Sequence, residues 1–235
     1  MKSSRAANSP IDIQLADIPI PSFSNDYSLE FDGVDDRVQL GSNFVASGEF
    51  TISFWMKPVG VSGNGKIFPI GTFPLNQNHV RLAQIGVIYL KVQGTNCIFN
   101  EGVVGGGSNN LVLNVWQNIT FIRDSSNVIT CYRNGAIFGA TVTNSGTLTL
   151  NSFGRVISNT FGFEGHLDEI AFWNSDETSN LASIYNSGTP DNLTDLSPLN
   201  WIRFEEGSGT TATDSGSAGN NGTLTNGPTY STDVA

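Results

Sequence analysis

The chain has 235 residues, a formal net charge of −10 and 14% charged residues, a length that suits one large all-β domain or two small ones with a real core. Its 11 Lys and Arg are scattered along the sequence and form no basic stripe. Nucleic acid and anionic membrane surfaces are therefore excluded as partners, and no apolar run approaches the roughly 20 residues of a membrane helix.

In chain order, residues 1–26 come first and stand apart from the rest. The start, MKSSRAANSP, is basic but is followed by no apolar h-region, so it is not a secretory signal. Ile11, Ile13 and Leu15 then alternate, and Ile18 and Ile20 continue the apolar series among Pro19 and Pro21. Alternation suits a strand and the prolines enforce extended backbone. The segment is either a loose leader or an arm, up to about 85 Å long, whose Ile11, Ile13, Leu15, Ile18 and Ile20 add a strand to a neighbouring subunit.

From Tyr27 onward short strands alternate with turn punctuation. In FDGVDDRVQL (Phe31–Leu40), Asp32-Gly33 reads as a tight turn among three carboxylates. Phe50–Lys57 alternates and Pro58 ends its pairing. His79–Val92 gives two strands broken at Gly86, Gly102–Asn110 is a loop by composition, and Trp116–Arg123 and Val128–Arg133 are strands. Asn134-Gly135 is a hairpin signal, because both central residues of a type I′ turn need positive φ. Leu148–Val156 and Gly165–Trp173 are further strands, and one short helix is predicted over about Glu177–Asn186, stopped by Gly188. Many strands with almost no helix predict a two-sheet antiparallel sandwich. The last 35 residues hold too little strand to stand alone and are expected to pack into it. Cys97 and Cys131 admit one bridge at most, and Cys131, within ITCYRNG, reads as a buried free thiol.

SLEFDGVDDRVQL, FTISFWMKP, WQNITFIRD with ITCYRNGAIFG, and FEGHLDEIAFWN with IYNSGTPDNL occur in this order. Together they resemble the laminin-G-like branch of the concanavalin A-like fold over residues 27–190. The tail WIRFEEGSGTTATDSGSAGNNGTL resembles the segment that usually precedes the FDG strand there, displaced to the end as in a circular permutation. The resemblance implies an all-β jelly roll over residues 27–235, with one short helix and the extended arm 1–26. It also implies rim or edge loops that bind glycans, proteins or calcium. On that topology Asp32, Asp168 and Asp214 would supply oxygens for Ca²⁺, a hard cation that takes six to eight. The alternative is a turn at Asp32-Gly33 with solvated or capping carboxylates elsewhere.

Glycosidases need two carboxyl groups about 5–10 Å apart across one bond. Asp168 and Glu169 are adjacent and are expected on opposite faces of a strand, as are Glu205 and Glu206. No nucleophile elbow accompanies His79 or His166, and two histidines with two scattered cysteines do not make a zinc set. The four tryptophans sit in strands and read mainly as core, although one exposed on a sheet face would stack on sugars. The expectation is a non-enzymatic module on a virion surface, of capsid-decoration or tail-fibre type. It would contact other virion proteins, its own copies or host-surface glycans; the alternative is an extracellular bacterial lectin or adhesin module.

Overall fold

A computed structural model describes residues 23–60, 66–73, 77–83, 86–100, 112–155 and 162–235. Ile11, Ile13, Leu15, Ile18 and Ile20, most of the arm, and the Gly102–Asn110 loop lie outside the described residues. The strands begin with β1 (Ser28–Asp32), β2 (Arg37–Ala46), β3 (Phe50–Pro58), β4 (Lys66–Ile67), β5 (Ile70–Gly71), β6 (His79–Ala83), β7 (Val87–Val92) and β8 (Thr95–Asn100). There follow β9 (Gln117–Arg123), β10 (Val128–Arg133), β11 (Ala136–Ile137), β12 (Val142–Thr143), β13 (Leu148–Phe153) and β14 (Glu164–Trp173). After helix α1 (Leu181–Tyr185) come β15 (Asn200–Ile202), β16 (Thr211–Ala212), β17 (Gly222–Thr225) and β18 (Thr229–Ser231).

These strands make two antiparallel sheets, the sandwich that the alternation predicts. The first runs β11-β10-β9-β3-β14-β1-β18, with β12 on β10 and β15 on β14. The second runs β16-β17-β2-β13-β5-β6-β7-β8, with β4 on β6. Strands β1 and β2 lie in different sheets, so FDGVDDRVQL is a crossover and not a hairpin. Gly33 at its apex has φ +81° and donates its N–H to Phe163 O at 3.1 Å. A Cβ there would stand 2.9 Å from Glu164 Cβ, so glycine is required. The C-terminal strands join both sheets: β18 pairs with β1 and β15 with β14 in the first, and β17 with β2 in the second.

Alternation turns one side of each sheet inward, and aromatic pairs bridge the two layers. Phe44 of β2 lies 4.9 Å from Phe172 of β14, and Phe99 of β8 lies 5.6 Å from Phe121 of β9, between ring centroids. Arg123 is fully buried at one end of the sandwich, beside Phe50. Its guanidinium donates to the carbonyls of Ala46, Gly48, Asn144 and Gly146, tying the end of β9 to turns that lead into and out of the other sheet. Cys97 and Cys131 are free and buried, on opposite sheets.

Three local outcomes refine the sequence reading. Asn134 and Gly135 take φ of +51° and +72° and close the β10–β11 hairpin as predicted. The helix is shorter than the predicted span, being α1 with single 3-10 turns at Thr178–Asn180 and Asn186–Gly188. It stops at Asn186, which takes the left-handed conformation (φ +42°) two residues before Gly188. Trp55, Trp173 and Trp201 are buried, but on the outer side of the first sheet. There Trp173 and Trp201 form a small second core with Ala171, Ile184 and Leu193, and Trp55 stacks on Tyr185.

Phe172 touches both Phe44 and Phe153 across the layers. Phe172→Ala is expected to cost about 3–5 kcal/mol, read as a lower denaturant midpoint at unchanged slope. A loss below about 1 kcal/mol would contradict this account of the core.

Candidate functional site

The three carboxylates expected to share a cation do not meet. Asp214 is saturated by donors from its own loop and from β15. One of its oxygens accepts from Trp201 N (2.7 Å) and Gly216 N (2.8 Å), the other from Asn200 Nδ2 and Asn220 N (both 2.8 Å). It staples the C-terminal loop to β15 and has no room for a ligand role. Asp168 lies mid-strand in β14, level with Trp55, whereas Asp32 sits four positions further along the sheet, opposite Glu164. At about 3.4 Å per residue those two are more than 12 Å apart. Asp32 instead groups with Asp35 and Asp36, whose carboxylate oxygens lie within 4.8 Å of one another. Asp32 Oδ1 accepts from Val34 N, Asp36 Oδ2 accepts from Asp32 N, and Asp35 faces Arg155 at 3.9 Å. Burial pushes the Asp36 carboxyl up, and the neighbouring acids add to this.

The pair Asp168 and Glu169 departs from simple alternation. Pairing with β3 shifts register between Asp168 and Ala171, and Glu169 takes φ +46°. This bulge turns both carboxyl groups to the outer side of the first sheet, where strict alternation predicts opposite faces. Both are buried there. Asp168 Oδ2 accepts from Asn25 Nδ2 (3.0 Å) and Ala235 N (3.3 Å), while its Oδ1 has no partner. Glu169 accepts from Trp201 Nε1 and from Arg203 Nε (3.0 Å). Arg203 in turn lies over Trp201 and Phe23 and donates to Ser24 O. Nearby, Asp233 pairs with Lys57 and accepts from Trp116 Nε1 (2.9 Å). Residues 23–27 and 231–235 thus lie over the acidic pair, which clasps both segments and faces no open cleft.

The second sheet has a different outer side. Alternation in β6 and β7 sends Val80, Leu82, Ile88 and Leu90 inward and leaves His79, Arg81, Tyr89 and Lys91 outward. Arg37 and Gln39 of β2 and Thr149 of β13 face the same way. Arg37 lies 4.0 Å from the Phe73 ring centroid and Arg81 3.7 Å from that of Tyr89. His79 is buried with neither ring nitrogen hydrogen-bonded, and desolvation beside Lys91 and Arg81 pushes its pKa down to about 3. It is a neutral, structural imidazole, packed edge-on to Phe68. None of these side chains stands out in sequence, since Arg37 lies far along the chain from Arg81 and Lys91. The signal available was the alternation in VRLA and VIYLKV.

Desolvation raises the Asp168 carboxyl to about 7 and that of Glu169, with Asp168 as like-charged neighbour, to about 8. Acids whose folded pKa exceeds the unfolded value hold extra protons in the native state. Their contribution is complete below pH 4 and is lost as pH rises to about 8. The melting temperature is therefore expected to fall between about pH 5 and 8, and Asp168→Asn to flatten that fall. A profile unchanged in the variant would refute the assignment.

No curated protein matches this sequence. Among solved structures, the fold is similar to that of a Bacteroides ovatus protein assigned to carbohydrate binding. The TM-score is 0.64 at 16% identity, covering 89% of this chain and 60% of that one. It is also similar to a heptameric SAP-like pentraxin from Limulus polyphemus, with TM-score 0.53, 14% identity, and coverage of 68% and 82%. The chain thus spans less than two thirds of the Bacteroides protein. Residues 32–180, more than half of the chain, match the laminin-G model of the concanavalin A-like lectin/glucanases superfamily. With both the two-sheet architecture and that match in place, the chain belongs to the concanavalin A-like lectin/glucanases superfamily.

Proposed function

We propose that this protein is a non-enzymatic carbohydrate-binding module. The observation that carries the reading is the unequal treatment of the two outer sheet faces. The paired carboxyl groups that a glycosidase would need are sealed under residues 23–27 and 231–235. The second sheet bears amide, hydroxyl, guanidinium and aromatic side chains, the types that hydrogen-bond and stack on sugars. Superfamily membership and the likeness to a protein assigned to carbohydrate binding agree with this reading. The virion setting expected from the sequence draws on the missing secretory signal and on the arm. Of the arm only residues 23–26 are described, and they lie against Trp201, Arg203, Glu205 and Asp168 of the same chain. A glycan array probed with the labelled chain is expected to show binding to a restricted set of sugars, without release of reducing ends. Silence on the array, or reducing ends released, would overturn the reading.

Calcium belongs to the same proposal, carried by Asp32, Asp35 and Asp36 in place of the dispersed set. A cation there would offset the charges of Asp32 and Asp35, which add to burial in raising Asp36. Adding Ca²⁺ at about 100 times its dissociation constant is expected to stabilise the fold by about 2.7 kcal/mol, and Asp36→Asn to remove the effect. An unchanged melting temperature in the unaltered protein would remove calcium from the proposal.

A further inference from the structure

The outer side of the second sheet gathers cations that the sequence disperses. Registers carry one row across it: Thr225 pairs with Arg37, and three strands on, Arg81 pairs with Tyr89 and Tyr89 with Ile98. A neighbouring row holds Thr223, Gln39, Ser152, Gly71, His79, Lys91 and Asn96. At about 4.8 Å per strand, Arg37 and Arg81 stand about 14 Å apart on one face. Arg155 follows β13 beside Arg37, whose pKa is pushed down by burial and then by Arg155, with Asp35 opposing. So Arg37, Arg81, Lys91 and Arg155, from a chain with only 11 Lys and Arg and net charge −10, share one side of one sheet.

The hydrogen bonding of the three arginines is incomplete. The Nε atoms of Arg37, Arg81 and Arg155 are buried without a partner. Among the described residues neither Arg37 nor Arg81 has a carboxylate within ion-pair distance, while Arg155 reaches Asp35 only at 3.9 Å. The guanidinium carbons of Arg37 and Arg81 each lie over an aromatic ring, at 4.0 and 3.7 Å from the centroids of Phe73 and Tyr89, which holds each fork at the sheet. Compare Arg123, whose buried guanidinium is fully engaged by four carbonyls. Arg37 and Arg81 stay partly exposed with no described carboxylate in ion-pair contact, and an oxyanion would complete them.

We propose that this face binds an acidic polysaccharide through its carboxylate groups, with Arg37 and Arg81 as the two anchoring forks. The inference rests on the carbohydrate-binding reading and adds the ligand class to it. Two anchors about 14 Å apart call for an anion that repeats along an extended chain, not for one charged sugar. Between and beside them Gln39, Thr225 and Asn96 offer uncharged hydrogen-bonding groups for ring hydroxyls. That mixture favours a uronic-acid polymer over an acidic peptide.

Calorimetry with the whole chain tests this, using polygalacturonate, its methyl ester and polyglutamate as probes. Polygalacturonate is expected to bind, and the ester, which keeps the sugars and removes the charge, to bind at least about tenfold more weakly. Arg37→Gln and Arg81→Gln are each expected to weaken polygalacturonate binding about tenfold, and the double variant to lose it, with melting temperatures close to that of the parent. Equal affinity for the ester, affinity for polyglutamate as high as for polygalacturonate, or an unaffected double variant would overturn the inference. If the variants do not fold, salt decides on the unaltered chain: binding that fails to weaken from about 50 to 500 mM salt also overturns it. Array binding to neutral glycans alone leaves the carbohydrate reading standing and removes this inference, whereas no binding to any glycan removes both.

Discussion

A β-sheet in a two-layer sandwich can bury only one face against its partner, and the fate of the other faces organises this molecule. The inner faces meet through aromatic contacts such as Phe44 with Phe172 and Phe99 with Phe121. The outer side of the first sheet is then covered by the chain itself. Helix α1 brings Ile184 and Tyr185, the segment before β15 brings Leu193, and residues 23–27 and 231–235 lie alongside. The second sheet keeps a polar and cationic outer side.

Covering the first sheet makes its polar groups internal, and the chain answers each in kind. Ser53, Asn118 and Thr120 hydrogen-bond one another. The bulge at Glu169 places two acids on one side, where a single arginine and several neutral donors meet them. With one cation for two buried acids, retention of a proton is the less costly state. The two histidines follow the same rule from the other side, since burial lowers the pKa of both His79 and His166 and leaves neutral imidazoles.

Much of the architecture was legible because period-two alternation survives in Phe50–Met56, Ile119–Arg123 and His79–Val92, and because Asn134-Gly135 has one natural use. What escaped was whatever depends on a departure from alternation or on pairing between distant strands. The bulge at Glu169 is invisible in HLDEI, because nothing local marks the residue that takes positive φ. The crossover in FDGVDDRVQL looks like a hairpin because a turn's chemistry does not say whether the following strand returns to the same sheet. Asp214 attracted attention as a carboxylate, yet its four backbone and amide donors come from a fold that its own segment does not reveal. The cationic row was dispersed for the same reason: Arg37, Arg81 and Arg155 become neighbours only through the order of the second sheet.

The placement of β17 and β18 bears on how the molecule is made. Strand β1 has β14 on one side and β18 on the other, and β2 has β13 on one side and β17 on the other. On a ribosome, both early strands emerge long before these last partners and must wait with one hydrogen-bonding edge bare. An open edge pairs readily with another chain. The same late residues that complete the sandwich therefore decide whether two nascent copies stay apart.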